Sequence, residues 1–452
     1  MTKEPTVENT IFALASGPGI AGVAVIRFSG ARCKEIFEAM AGGAPEPRLA
    51  TRCFLKHPYT EEIIDDGLML FFPAPASFTG EDVGEFQIHG GRAVVEFCLA
   101  AIGRFKGVRM AEPGEFTRRA FENGKLDLTQ VEGLADLISA KTEAQRRQAV
   151  RVASGETGAV YEGWRKELIR CLAFFETDID FVEEDDVPEN VTREAASQVE
   201  KLFGEIGSFL DDPRKGEKLR DGFRVVIAGV PNVGKSTLLN RLAKREAAIV
   251  SDVAGTTRDV VEVYLDLAGL PVVISDTAGL REARDEIESI GVARARATIE
   301  EAELIIWLCD ERGIWPQEAT SPFDSEAIWA ANKADLAAPT VIAGPKSETV
   351  QNLSAKQGVG FTDLLKVLAR FAQENFAGLE ASIITRRRHR EALKSCASFL
   401  RAALTEIARD EVQSELVAEH LRLAARMLGR ITGRIDVEDL LDVIFADFCI
   451  GK

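Results

Sequence analysis

The chain has 452 residues, 46% of them apolar, and carries 55 basic against 72 acidic side chains for a net charge of −17. That size fits about three domains of ~150 residues, and the composition excludes a disordered chain and a nucleic-acid binder that works through overall positive charge. If the protein acts on RNA, the contact comes through a local basic patch or a partner.

Nothing in the sequence predicts a membrane span, since no run of 18 residues is apolar. MTKEPTVENT at the start lacks the apolar stretch of a signal peptide. Seven cysteines (33, 53, 98, 171, 309, 396 and 449) form no C-x-x-C pair, which argues for a reducing cytoplasm and against disulfides or zinc. Six read as small buried apolar residues, while Cys449 stands in the C-terminal tail FCIGK.

Residues 1 to about 120 read as an α+β unit. GVAVIRF (22–28) alternates and is β-branched, which predicts the first strand, with Arg27 near its end. A helix is expected over 33–40, strands over 67–72 and 84–89, and a helix over 93–102 after Gly90-Gly91. The segment SFTGEDVGE (77–85) lies in the turn between the two later strands. From Thr117 to about Leu210 apolar residues recur at helical spacing, as in Val131, Leu134, Leu137 and Ile138 and again in Leu168, Leu172, Phe175 and Ile179. Glu183-Glu184-Asp185-Asp186 before Pro188 reads as a solvated turn.

Residues 222–373 alternate strand and helix, with strands expected at 223–228, 261–267, 271–275, 304–309, 326–331 and 349–353, the pattern of an open α/β sheet. Beyond 380 helices are expected over 387–408, 412–428 and 437–445. Helical sequence thus flanks the α/β stretch. The expected division is an N-terminal domain (1–120), a helical domain in two parts (121–221 and 374–452), and an α/β P-loop domain (222–373) inserted between them.

The inserted domain carries the chemistry. FRVVIAGVPNVGKST (223–237) is a strand, a G-x-x-x-x-G-K-S turn and a helix start, the context in which backbone N–H groups cradle phosphates. Asn232, Val233, Gly234, Lys235, Ser236 and Thr237 form that loop; Lys235 adds charge at the outer phosphates and Ser236 offers a hydroxyl to Mg²⁺. A polar loop follows, Ser251-Asp252-Val253-Ala254-Gly255-Thr256-Thr257, in which a threonine can complete the Mg²⁺ shell and sense the terminal phosphate. Asp276-Thr277-Ala278-Gly279 ends a strand and supplies a carboxylate for Mg²⁺ and an N–H for the γ-phosphate.

Asn332-Lys333-Ala334-Asp335 offers a carboxylate to the two guanine donors, which rejects adenine. Ser354-Ala355-Lys356 adds a last backbone contact to the base. Where many GTPases have a glutamine after the DTAG glycine, this chain has Leu280, so a water-orienting group must come from elsewhere, with Glu282, Glu286 and Glu288 as candidates. No cis arginine is evident, and the Asn232 amide can hold a monovalent cation in its place.

Taken together, GVPNVGKS, SDVAGTTRD, DTAGLRE, NKAD, SFTGEDVGE…HGG, PGEFTRRAF…GKLDL, RRRH after the α/β domain and the tail FCIGK resemble the tRNA-modifying GTPase family MnmE (TrmE) over almost the whole length. The resemblance implies a K⁺-activated GTPase, homodimeric through its N-terminal domain, whose G domains pair during turnover. It implies K⁺ held by Asn232, Ser251, Val253 and Thr256, Mg²⁺ held by Ser236 and Thr257, and Glu288 orienting water. It implies that the N-terminal domain binds a tetrahydrofolate derivative (5-formyl- or 5,10-methylene-) through Arg27, Glu85, Lys125 and Lys452, with Cys449 near it as a candidate catalytic thiol.

With an FAD-containing partner, MnmG, the family installs an aminomethyl or carboxymethylaminomethyl group on the wobble uridine of certain tRNAs. The best local basic patch for tRNA is Arg386-Arg387-Arg388-His389-Arg390. The G motifs alone also fit an Era-like ribosome-assembly switch, but such proteins append an RNA-binding module of a kind not evident here.

Overall fold

The computed structural model describes the chain apart from residues 1–8, 181–188, 212–214, 245–247, 250–261, 277–297, 311, 317–318, 320–324, 337–343, 346–348, 379–381, 410–411, 436–440, 442–443, 446–447, 449–450 and 452. Two units emerge: Met1–Ala135, Val152–Val199 and Phe399–Lys452 in one, Asp136–Arg151 and Glu200–Ser398 in the other. The helical stretches on either side of the α/β segment are therefore shared between the units.

The first unit contains a six-stranded sheet ordered β3-β4-β5-β2-β1-β6, built from β1 (Thr10–Leu14), β2 (Ala21–Ser29), β3 (Thr51–Lys56), β4 (Ile63–Phe72), β5 (Val83–Gly90) and β6 (Val108–Met110). All pairs are antiparallel except β1 with β6. The strand expected first is the second. TIFAL precedes it as β1, an apolar run without alternation and hence without a periodic signal.

Helices α1 (Cys33–Ala41) and α2 (Arg92–Ile102) share one core with the sheet, through Ile36, Phe37 and Met40 on α1 and Cys98, Ala101 and Ile102 on α2. Along β2, Ala24, Ile26 and Phe28 point into that core, so Arg27 emerges on the opposite face. Gly84 is required where β5 passes Phe28, because a Cβ there would lie 2.2 Å from its ring.

The helices that follow are α3 (Glu115–Glu122), α4 (Leu128–Ser139), α5 (Glu143–Ala153), α6 (Glu156–Asp180), α7 (Glu189–Leu210) and α8 (Lys215–Asp221). The acidic turn 183–186 lies outside the described residues. After the α/β segment come α11 (Arg387–Ile407) and α12 (Ser414–Thr432). The helix expected over 437–445 falls largely outside the described residues. Helices α6 and α12 run antiparallel, with ion pairs from Arg434 to Glu162 and from Arg422 to Glu176, each at 3.0 Å.

The C-terminal segment packs Leu441, Phe445 and Phe448 against Leu128 and Val131 of α4. Gly451 sits at φ +99, where a Cβ would lie 2.1 Å from the Leu14 carbonyl oxygen of β1. Leu14 pairs with Ile26, so Gly451 approaches β1 at the residue opposite the one that precedes Arg27.

The second unit holds a seven-stranded sheet ordered β13-β12-β11-β7-β10-β9-β8. Its members are β7 (Phe223–Gly229), β8 (Ala248–Ile249), β9 (Glu262–Leu267), β10 (Leu270–Asp276), β11 (Leu304–Cys309), β12 (Glu326–Ala331) and β13 (Val350–Asn352). Pairing is parallel except where β9 meets β10 and β8. Central strand β7 is apolar on both faces: Val225 and Ile227 enter one core with α9 (Lys235–Ala243) and α10 (Phe361–Phe376), and Val226 and Ala228 enter another with Trp307 and Trp329.

Candidate functional site

The phosphate loop begins where β7 ends in mid-sheet, the position at which open α/β sheets bind ligands. Two residues reverse the chain there, Asn232 at φ +61 and Gly234 at φ +101. A Cβ on Gly234 would meet Asn332 Nδ2 at 2.3 Å, so glycine is demanded by space as well as by φ. Lys235 is 7% exposed, and its Nζ donates to the carbonyls of Gly229 at 3.0 Å and Val230 at 3.1 Å. The ammonium thus lies folded over the loop it serves.

One residue on, Ser236 Oγ donates to Asp276 Oδ2 at 2.7 Å. Parallel pairing of β10 with β7 places Asp276 opposite Ile227 and so delivers its carboxylate to the first turn of α9. A hydroxyl and a buried carboxylate side by side at a helix N-terminus are hard oxygen donors that suit Mg²⁺.

The second half of the site is held to the first by Asn332, which is 4% exposed. Its Nδ2 donates to Val233 O at 2.7 Å, and its Oδ1 accepts from the Ala355 N–H at 2.9 Å. Asn332 therefore ties the phosphate loop to the Ser354-Ala355-Lys356 turn through both polar ends of its side chain. Ser354 Oγ, fully buried, donates to Asp335 Oδ1 at 2.5 Å and accepts from the Gln357 N–H at 3.0 Å. The Ser354 bond holds the exposed Asp335 carboxyl below its ordinary range. Lys333 takes φ +65, a turn conformation between Asn332 and Asp335.

Arg241 on α9 was not legible in the sequence as part of this site. Its guanidinium donates to the carbonyls of Ala355 at 3.2 Å, Lys356 at 3.0 Å and Gln357 at 3.4 Å. These contacts join positions more than 110 residues apart, and no local pattern announces them.

Ser251 to Thr257, Thr277 to Gly279, Leu280, Glu282, Glu286, Glu288, Cys449 and Lys452 lie outside the described residues. Of the four residues expected to hold K⁺, Asn232 alone is described, and it is exposed at the rim of the loop.

In the N-terminal domain Arg27 and Glu85 face each other across β2 and β5 and are joined at 2.9 Å from Nε to Oε1. The rings of Phe78 and Phe116 lie 5.9 and 6.0 Å from the guanidinium. Lys125 is exposed beside the SFTGED turn, its Cγ 3.5 Å from where a Cβ on Gly80 would sit. That turn is locked to the PGEFTRRAF helix: Arg119 donates to Glu81 at 3.0 Å and to Glu115 at 3.1 Å, Arg109 forks onto Glu115, and Ser29 Oγ meets Glu81 at 2.8 Å. Asn123 Nδ2 adds a bond to Thr79 O at 2.7 Å. The two N-terminal motifs are thus halves of one polar network.

The basic patch fares differently. Arg390 is 5% exposed, donates to Glu217 at 2.8 Å and to the Leu210 carbonyl at 3.0 Å, and His389 is fully buried. Arg386 donates to Asp136 at 2.7 Å. Only Arg387 of the five is exposed, so the run is mostly an internal fastening rather than a surface for RNA. The six described cysteines are all buried, and burial pushes their thiols up to about 11 or 12.

Family models match most of the chain: "GTP-binding protein TrmE N-terminus" over residues 10–125 and "MnmE helical domain" over residues 128–449. A "tRNA modification GTPase MnmE" from Parvibaculum lavamentivorans is 53% identical over 98% of this chain and 100% of its own length. Proteins of the same name from Rhodopseudomonas palustris and Rhodospirillum rubrum are 50% and 48% identical, each over 98% of this chain and 99% of its own. The cytosolic domain of the T. maritima FeoB iron transporter covers 46% of the chain at 19% identity with a TM-score of 0.26. With a TrmE-type N-terminal domain, an MnmE helical domain and a P-loop GTPase domain in one polypeptide, this chain belongs to the MnmE (TrmE) family of tRNA modification GTPases.

Proposed function

We propose that this protein hydrolyses GTP in a K⁺-dependent cycle and that, with an FAD-dependent partner of the MnmG type, it installs an aminomethyl or carboxymethylaminomethyl group at C5 of the wobble uridine of certain tRNAs. The observation that carries the reading is the single connected site formed by Lys235, Ser236, Asp276, Asn332, Asp335 and Ser354. A triphosphate cradle and a carboxylate suited to guanine sit at opposite ends of one side-chain tie.

Ser236 and Thr257 hold Mg²⁺ in this reading, with Asp276 beside them, and the metal supplies charge neutralisation on the phosphates. Asn232, Ser251, Val253 and Thr256 hold K⁺, which supplies positive charge in the absence of an evident cis arginine. Lys235 leaves its two loop carbonyls for the outer phosphates. Glu288 orients the attacking water in place of the glutamine that Leu280 replaces.

The Arg27–Glu85 face suits a tetrahydrofolate derivative. A guanidinium flanked by two aromatic rings and paired with a carboxylate offers flat packing together with both signs of hydrogen bonding. Lys125 and the C-terminal Lys452 add cations for the ligand's carboxylates, and Cys449 comes near it in the same tail. Homodimerisation through the N-terminal domain and a cytoplasmic location complete the proposal.

GTP hydrolysis by the full chain in K⁺ and in Na⁺ buffer tests it. Turnover is expected in K⁺ alone, to be lost in Asn232→Ala, and to be lost with nucleotide binding retained in Glu288→Ala. Equal rates in both salts refute the cation mechanism.

A further inference from the structure

We propose that the β9–β10 hairpin is a lever that carries the nucleotide state of the phosphate site to the start of α5, working against a fixed point at Asp136. The proposal rests on the GTPase reading above.

One end of the hairpin belongs to the site. Strand β10 finishes at Asp276, bonded to Ser236, and β9 starts at Glu262, directly after the loop that carries Thr256 and Thr257. The two strands pair without a break from Glu262↔Ser275 to Leu267↔Leu270. Six residues of strand span about 20 Å at ~3.3 Å each, and β10, paired with β7 over Val272–Asp276 on its other side, runs from Asp276 to the far turn as part of the sheet. That turn is tight, with Ala268 at φ +56 and Gly269 at φ +84, and Asp266 Oδ1 accepts its Gly269 N–H at 2.6 Å.

The other end lies on α5. The Ala144 N–H, in the first turn of the helix, donates to Gly269 O at 3.1 Å. Lys141 sets its ammonium 3.4 Å from the centre of the Tyr264 ring, and burial depresses its pKa. Tyr264 in turn pairs with Ile249 of β8, next to the beginning of the same nucleotide loop. The strands that flank residues 250–261 in sequence, β8 and β9, are therefore paired with each other, and β9 bears on Lys141.

A few residues before α5 the structure is pinned. Asp136 Oδ1 accepts from Arg220 Nε at 3.2 Å and from an Arg386 NH at 2.7 Å. Arg220 precedes β7 and Arg386 follows α10, so one carboxylate fastens both chain crossings of the α/β segment. Between this node and α5 lies a cavity of about 110 Å³ lined by polar side chains including Ser139, Gln145 and Gln148. Gln145 Nε2 donates to the Arg220 carbonyl at 3.0 Å and its Oε1 accepts from the Lys141 and Thr142 N–H groups, so the start of α5 is held between this node on one side and the hairpin turn on the other.

Hydrogen exchange on the full chain, read on peptides covering 136–151 with GDP and with a non-hydrolysable GTP analogue, tests the lever. In the wild type the two nucleotides are expected to change exchange there by about fivefold or more. Ala144→Pro removes the bonded N–H at a first-turn position that tolerates proline, and Lys141→Met removes the ammonium while keeping the stem. The double variant is expected to lose the nucleotide difference while GTP turnover stays within about twofold of the wild type.

Lys141→Met alone, on a half-buried residue, serves if the double variant does not fold, and is expected to shrink the difference. A wild type that binds both nucleotides yet exchanges equally overturns the lever, as does a folded variant with the difference intact. A chain that binds no guanine nucleotide refutes the proposed function, and the lever with it.

Discussion

Asn332→Ala removes the side chain that joins the two halves of the nucleotide site. The residue is 4% exposed, and its truncation orphans the Val233 carbonyl and the Ala355 N–H, bonded at 2.7 and 2.9 Å. Each orphaned buried group costs about 1–3 kcal/mol. Two cost about 2–6 kcal/mol, and a water admitted into the vacated space brings the expected loss to the lower half of that range.

For a domain of this size each kcal/mol moves the melting midpoint by about 2–4 °C, so the G-domain transition without nucleotide is expected to fall by several degrees or more. Nucleotide binding must then re-form the link between phosphate loop and base turn, which weakens affinity by about ten- to a hundredfold, the equivalent of ~1.4–2.8 kcal/mol. Asn332→Asp keeps the acceptor for Ala355 but opposes an oxygen to the Val233 carbonyl, and is expected to be no better than alanine. Thermal unfolding of the ligand-free chain and titration with a fluorescent guanine nucleotide read the two effects. Weakened binding with an unchanged ligand-free transition would refute the tie as an energetic element.

Asp335→Asn replaces the proposed acceptor for the guanine donors with an amide that can donate. Competition binding is expected to show a switch of preference from guanine to xanthine nucleotides, with the phosphate contacts untouched. Burial alone would push the Glu115 carboxyl up, but the Arg109 fork, the Glu112 N–H and Arg119 outweigh it and hold it below the ordinary value of 4.5. Its stabilisation is therefore complete above pH 4.5 and lost as pH falls through the lower folded value. Glu115→Gln is expected to cost roughly 1.5–3 kcal/mol per charged hydrogen bond lost near pH 7 and to flatten the decline of stability in acid, measured by denaturant titration at several pH values. Gly451→Ala puts a methyl 2.1 Å from the Leu14 carbonyl at a φ of +99, so the tail must leave β1. Reduced-folate binding is expected to fall while GTP turnover persists.

How far each feature could be read from the sequence depended on whether its cause is local. The phosphate loop is a strand, a turn and a helix in fifteen consecutive residues, and apolar run, glycines and Lys235 all lie within reach of one another. Strand β10 is likewise a short apolar run that ends in its functional aspartate.

By contrast, β1 has no alternation and β3 exposes Phe54 on its polar face, so neither carries a clean period-two signal. The run Arg386–Arg390 reads as a surface by composition. It is internal because Asp136 and Glu217, far away in sequence, supply the carboxylates that let guanidinium groups be buried. Asn332 was legible as part of a nucleotide motif, yet its partners Val233 and Ala355 emerge only once parallel pairing brings β12 beside β11 and β13.

The central claim is that GTP turnover at this site drives a change in tRNA. The most direct test is mass spectrometry of the wobble uridines in tRNA from cells lacking the protein and supplied with the wild-type chain or with Lys235→Ala. The account predicts that the wild type restores the 5-aminomethyl or 5-carboxymethylaminomethyl group and that Lys235→Ala, expressed and folded, does not. Full restoration by Lys235→Ala, or none by the wild type, would contradict it.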